Sequence, residues 1–339
     1  MGTSSLAVIL ALVASNVGAS IAQDELDGQN KIFQRWFGTS LVWKFDELPE
    51  KGEVPEFRVP YSGYIYPDAA GGTARALRKY DMAFNGGRLL ATGHEQWDTS
   101  AFQEQTMAPQ RVGLFGLRVR MTPTMRTPGW HGHCNGWTAA AIRHAEPERD
   151  VVRHGVTFTR ADIKALLAEI YMYSHYESLA GEDTSVNAGL LHVILANWVG
   201  RQSHPLAMEA MPGREKWNFP IYSFSSSSVR RGDRAVDVEL KIVYAYYSNG
   251  EYERSPRLAR QKYFHYSLSL NEQGEIVGGS YYRNSSIIDL LWAPLKPVPG
   301  GQEGNERGNP NVDVHEVISL WRESVSEEVT QKWINIDPD

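Results

Sequence analysis

The chain of 339 residues has one cysteine, Cys134, and no basic cluster beyond Arg230-Arg231. Nor does any apolar run reach the roughly 18 residues that a membrane span needs. The single thiol cannot pair within its own chain, so it is a buried bystander, an intermolecular link or a nucleophile. The shortage of basic clusters, together with a net charge of −6, leaves binding to nucleic acid or to a membrane surface without electrostatic support. No internal repeat of roughly 20 to 50 residues is visible, which excludes solenoids and propellers. The Gly-x-Ser-x-Gly elbow, the phosphate loop, HExxH and the EF-hand are missing as well. What the chain does have is aromatics, 10 Trp and 16 Tyr, which suit an aromatic-walled cleft.

The first 22 residues carry no charged side chain. The apolar run Leu6 to Ala14, followed by small residues and Ser20-Ile21-Ala22, reads as a signal peptide cleaved after Ala22 or nearby. A secreted or periplasmic protein is expected. Residues 23–125 are rich in Gly and Pro and read as mostly irregular with short helices, one of them from Thr73 to Tyr80. Residues 126–339 read as a catalytic region. Helices are expected from Asn135 to Ala145 and from Arg160 to Tyr176, the latter capped by Thr159 with Asp162 three residues on, and a closing one from Val314 to Glu327. Strands are expected at His192 to Val199, Pro205 to Ala210, Ala235 to Tyr247, Lys262 to Leu270 and Ile276 to Tyr282. Ser223 to Ser228 and Pro299 to Pro310 read as linkers or mobile loops. The order of elements points to an α+β fold with an antiparallel sheet.

Cys134 lies in Gly129-Trp-His-Gly-His-Cys-Asn-Gly-Trp137, before Thr138 and three alanines. At a helix start, free backbone N–H groups and the helix dipole are expected to lower its pKa. Gly132 and Gly136 beside it let a substrate carbonyl approach the backbone. Among the histidines, position favours His192 as base, at the start of an apolar strand. With Gly200-Arg201 as a two-residue turn, His192 faces Glu209 across a hairpin, and a carboxylate there can orient the imidazole. A turn centred on Arg201 to His204 shifts the register and removes Glu209 from that place. His131 and His133 beside Cys134 are chemically able to bind zinc, but the spacing matches no established pattern, and the metal question stays open. Trp130, Gly132, His133, Asn135 and Trp217 are the expected cleft and oxyanion residues, with Trp137 and Trp198 as further candidate walls.

Trp130-x-Gly-His-Cys-Asn-Gly-Trp137 followed by alanines resembles the cysteine motif of the transglutaminase elicitor family. The stretch from His192 to Phe224, with Glu215-Lys-Trp-Asn-Phe-Pro220, is similar to the family's elicitor segment Glu-Val-Trp-Asn-Gln-Pro. Pro60 to Pro67, Gly278-Gly279 and Asp289 to Pro294 add further likeness. The resemblance implies a papain-like transglutaminase core and a calcium-linked protein-glutamine γ-glutamyltransferase. Cys134 would be nucleophile, His192 base and Glu209 the orienting acid, where the family pattern has Asp. Partners would be protein glutamine donors and lysine or primary-amine acceptors, with the chain expected to be a monomer. Two other readings stay open: a papain-like cysteine protease or amidase, and a non-catalytic, elicitor-like binding protein.

Overall fold

The computed structural model describes residues 19–112, 117–182 and 185–334. Most of the expected leader therefore lies outside the described residues. Its last residues include strand β1 (Ala19–Ser20), which pairs with Gly279 and Gly278. There follow α1 (Gln23–Phe37), β2 (Lys51–Glu53), α2 (Ala74–Phe84), α3 (Leu90–Ala101), and a hairpin of β3 (Glu104–Val112) and β4 (Arg118–Arg126). Next come α4 (Cys134–Arg143), a small hairpin of β5 (Val151–Arg153) and β6 (Val156–Phe158), α5 (Arg160–Tyr171), β7 (Tyr176–Gly181) and α6 (Ala188–Leu195). The last part holds β8 (Leu206–Glu209), β9 (Asn218–Arg230), β10 (Ala235–Ala245), β11 (Ala259–Leu270), β12 (Ile276–Tyr281), β13 (Leu290–Pro294), α7 (Val314–Ser324) and α8 (Glu327–Ile334).

The main sheet runs β1-β12-β11-β10-β9-β8-β13-β7, with β2 on β9, and its pairs are antiparallel. Strict alternation builds its centre. Val236, Val238, Leu240 and Ile242 of β10 are buried, as are their partners Phe264, Tyr266 and Leu268 on β11, while polar residues alternate between them. The serine run Ser223 to Ser228 is not a linker. It lies inside β9, where it pairs with β10 and only Phe224 turns into the core. Nor are residues 23–125 mostly irregular, since they supply three helices, most of a hairpin and one strand of the main sheet.

Residues His192 to Val199 form no strand. They complete α6 and continue into a wide helical turn over Ala196–Arg201. The run is apolar on every side because the helix is buried on every side, and such a run carries no period that distinguishes helix from strand. Trp198 at its end is fully buried among Phe33, Trp36 and Phe37 of α1, so it is core and not a cleft wall.

Helix α4 is the inner helix that carries Cys134. It packs against α5, which has the Thr159/Asp162 capping box and is buried along its whole length. Ala139, Ala140 and Ala141 keep α4 slim, and Gly136 lets it approach closely: a Cβ there would collide with the Ala168 carbonyl. Gly136→Ala is therefore expected to destabilise the fold by about 1–3 kcal/mol through overpacking. Thermal denaturation checks this, and an unchanged melting temperature would contradict the tight contact.

Candidate active site

Cys134 is the first residue of α4 and 5% exposed. Its thiol donates to the Lys216 carbonyl at 3.4 Å, and the Asn218 amide Nδ2 lies 3.7 Å from Sγ. Asn218 cannot turn freely, because its Oδ1 accepts from Trp292 Nε1 at 2.9 Å. Burial pushes the Cys134 thiol up from its ordinary value, and the Glu209 carboxylate adds to this; the donors of Asn218 and Asn135 oppose it without winning. The expectation that the helix start lowers this pKa is thus overturned. Dehydration of a fully buried thiol outweighs a dipole worth under one pKa unit.

Glu209 ends β8, where it pairs with Asn218 on one side and Leu290 on the other. Its carboxylate meets Lys216 Nζ at 2.6 Å, and the same ammonium reaches Asp289 at 2.7 Å. Burial raises the Glu209 pKa, and Lys216 opposes the rise. The hairpin that placed His192 across from Glu209 does not form; Asn218 holds that cross-strand position. His192 sits within α6, where its Nδ1 meets the Tyr266 hydroxyl at 2.8 Å and its ring stacks on Phe45. No hydrogen bond or ring contact joins it to Cys134, and α6 packs on β11 and β12 whereas α4 packs on β8, β9 and β13. Burial lowers the His192 pKa to about 4.

Cys134 opens onto a cleft of about 430 Å³ lined by Phe102, Trp130, His131, Arg214, Lys216 and Asn218, among others. Trp130 is half-buried there, against Phe102 and His131. Trp217 does not line this cleft; its ring is drawn into a stack with Phe219 and Tyr247. Trp137 is 1% exposed and bonded to the Tyr61 carbonyl, so it too is core. Asn135 ties α4 to the end of α5 through the Met172 carbonyl. Gly132 lines the cleft and is also held close to the backbone behind it, since a Cβ there would lie 2.6 Å from the Ile65 carbonyl oxygen.

Asp68 belongs to the site although nothing in its sequence neighbourhood marks it. Its Oδ2 lies 2.6 Å from Nδ1 of His131, whose ring stacks on Phe102 at 4.4 Å. His133 is directed away from the cleft, into a buried pocket with Glu95 and Glu169. Burial acts to lower the His133 pKa, but the two carboxylates raise it well above 6.5.

Comparison with known proteins gives a consistent result. Residues 103–181, from β3 through Cys134 to the end of β7, match the transglutaminase elicitor family. The crystal structure of the GP42 transglutaminase from Phytophthora sojae shares the fold, with a TM-score of 0.68 and 19% identity over 90% of this chain and 99% of that chain. No curated protein sequence matches. The likeness to the transglutaminase elicitor family read from the motifs is borne out over residues 103–181, and the fold is like that of the GP42 transglutaminase. Among the described residues, no helix is long and apolar enough to cross a membrane.

The depressed pKa of His192 makes stability fall with acidity. The unfolded imidazole takes up a proton near 6.5 and the folded one only near 4, so this contribution is complete above 6.5 and is lost progressively as pH falls towards 4. Between pH 7 and pH 5 the loss is about 2 kcal/mol. Urea midpoints of the wild type and His192→Gln at the two pH values check it. The wild type should lose more than the variant, and equal losses would contradict a neutral buried imidazole.

Proposed function

We infer that this chain is a protein-glutamine γ-glutamyltransferase in which Cys134 attacks the glutamine carboxamide. The observation that carries the reading is the lone cysteine at the first turn of α4, facing the start of β9 in a cleft open to solvent, within a transglutaminase-like fold. We propose that the cysteine helix and the antiparallel sheet it packs on form a papain-like core. A secreted or periplasmic location, expected from the sequence, accords with this reading.

We assign the base to His131 and not to His192. His131 is the imidazole lining the cleft that holds Cys134, and Asp68 fixes its Nδ1 side, leaving Nε2 to exchange protons. His131 takes the thiol proton as sulfur adds to the carboxamide carbon, and the oxyanion receives the Asn218 amide and the Cys134 backbone N–H. The carbon–nitrogen bond breaks, His131 returns the proton to the departing ammonia, and a thioester remains. A lysine amine then adds, gives its proton to His131 and expels the thiolate as an isopeptide bond forms. Glu209 acts through its neighbours: it holds Lys216, whose carbonyl accepts from the thiol, and shares Lys216 with Asp289. Trp130 and Phe102 keep water from the thioester, which favours the amine.

Calcium enters only through the family resemblance. Ca²⁺ takes six to eight oxygen ligands. The buried cluster of possible ligands among the described residues carries an imidazole nitrogen, so it does not fit this ion, and no step passes through calcium.

Incorporation of a fluorescent primary amine into casein tests the reading. Wild type is expected to label casein and Cys134→Ala to abolish labelling. His131→Ala should reduce it by about 10²–10⁴-fold, while His192→Gln retains it. Casein hydrolysis without labelling would identify an amidase or protease, and silence in both would identify a binding protein. Loss in His192→Gln with activity kept in His131→Ala would overturn the base assignment.

A further inference from the structure

We propose that Glu95, His133 and Glu169 form a binding site for a divalent transition-metal ion beneath the cysteine helix. The three side chains come from α3, the residue before α4, and α5, and each is at most 7% exposed. Their ligand atoms lie within 4.8 Å of one another. His133 Nε2 is 3.2 Å from Glu169 Oε2 and 3.5 Å from Glu95 Oε1. Ions with metal–ligand distances of about 2.0–2.2 Å in tetrahedral array require ligand–ligand edges of about 3.3–3.6 Å, and the two edges from His133 are close to that length. One nitrogen and two carboxylates suit Zn²⁺, Co²⁺ or Mn²⁺.

The surroundings hold the donors in place. Thr73 N–H donates to Glu95 at 2.8 Å, its hydroxyl donates to Glu169 at 2.6 Å, and Asn309 donates to the other Glu169 oxygen at 3.0 Å. Gly72 admits the Glu95 carboxylate, because a Cβ there would occupy its place.

A separate observation points to a ligand. Asp68 Oδ1 and His133 Nδ1 are buried without hydrogen-bond partners, and they face each other at 3.9 Å. An imidazole bound to a metal through Nε2 carries its proton on Nδ1 and directs it to a carboxylate, which is the role Asp68 is placed to fill. Charge agrees. Three buried carboxylates, Asp68, Glu95 and Glu169, pair with the imidazoles of His131 and His133. A divalent ion offsets the excess. Its bond to His133 would fix the residue that precedes Cys134, and Asp68 links His133 to His131, so the ion would brace the cleft from below. The site stands independently of the transfer reading.

The test is metal binding by the purified, chelator-dialysed protein with Co²⁺ as probe. One Co²⁺ per chain, the visible absorption of a low-coordinate site, and a melting temperature raised by roughly 5 °C at about a hundredfold excess over Kd are expected. Glu95→Gln and Glu169→Gln should lose the absorption and the shift, whereas His315→Gln, on the exposed start of α7, should keep both. Failure of the wild type to give absorption or a shift with Co²⁺, Zn²⁺ or Mn²⁺ at millimolar concentration would overturn the site and leave a protonated His133 between the carboxylates. Should the glutamine variants not fold, the stoichiometry and spectrum of the unaltered protein decide. Metal binding without amine transfer, or transfer without metal, separates this site from the transfer reading.

Discussion

A sulfur atom taken out of water sets the terms for the rest of this molecule. Cys134 gains the free N–H groups of a helix start, worth about 0.3–1 kcal/mol at an exposed site. It loses hydration, which for a fully buried group shifts a pKa by up to several units. Desolvation wins, and the thiol is held protonated against the Lys216 carbonyl. Acyl transfer from such a thiol needs a proton acceptor in the same cleft and donors already aimed at the place where charge develops. The His131–Asp68 pair and the Asn218 amide answer those two needs. The same dryness that raises the thiol also disfavours hydrolysis of a thioester.

The fold maintains this arrangement from two sides. On the helix side, the missing Cβ of Gly136 lets α4 press on α5, and that of Gly132 lets the preceding loop press on the Ile65 and Tyr66 carbonyls. On the sheet side, Trp292 of β13 fixes Asn218 of β9, and Lys216 bridges Glu209 and Asp289. Arg214, in the same β8–β9 connection, reaches Glu104 of β3 at 2.9 Å. The connection is thus tied down by Arg214 and Lys216 beside the thiol.

The proposed nucleophile was legible because chemistry marks it locally: one cysteine, flanked by glycines and followed by small helix formers. Helix α5 was legible from its cap and period, and β10 to β12 from alternation, with ends within a few residues of those observed. The partners of Cys134 were not. His192 lies in an all-apolar run whose burial on every side erases the period, and reading it as a strand generated the false pairing with Glu209. Asp68, Glu95, Glu169 and Asn218 meet the site from positions up to 150 residues apart, counting from Asp68 to Asn218. Long-range pairing alone brings them together, and single residues of such common types carry no local signal. Trp137, Trp198 and Trp217 show the converse: aromatic content suggested cleft walls, while packing put two in the core and one in a stack.

The most direct test of the central claim is the covalent intermediate itself. Acid-quenched protein incubated with a glutamine-containing peptide and no amine is analysed by intact mass and peptide mapping. The account predicts a fraction of chains heavier by the peptide less ammonia, with the adduct on Cys134 and discharged by added amine. An unmodified Cys134 under conditions where the peptide is consumed would contradict it.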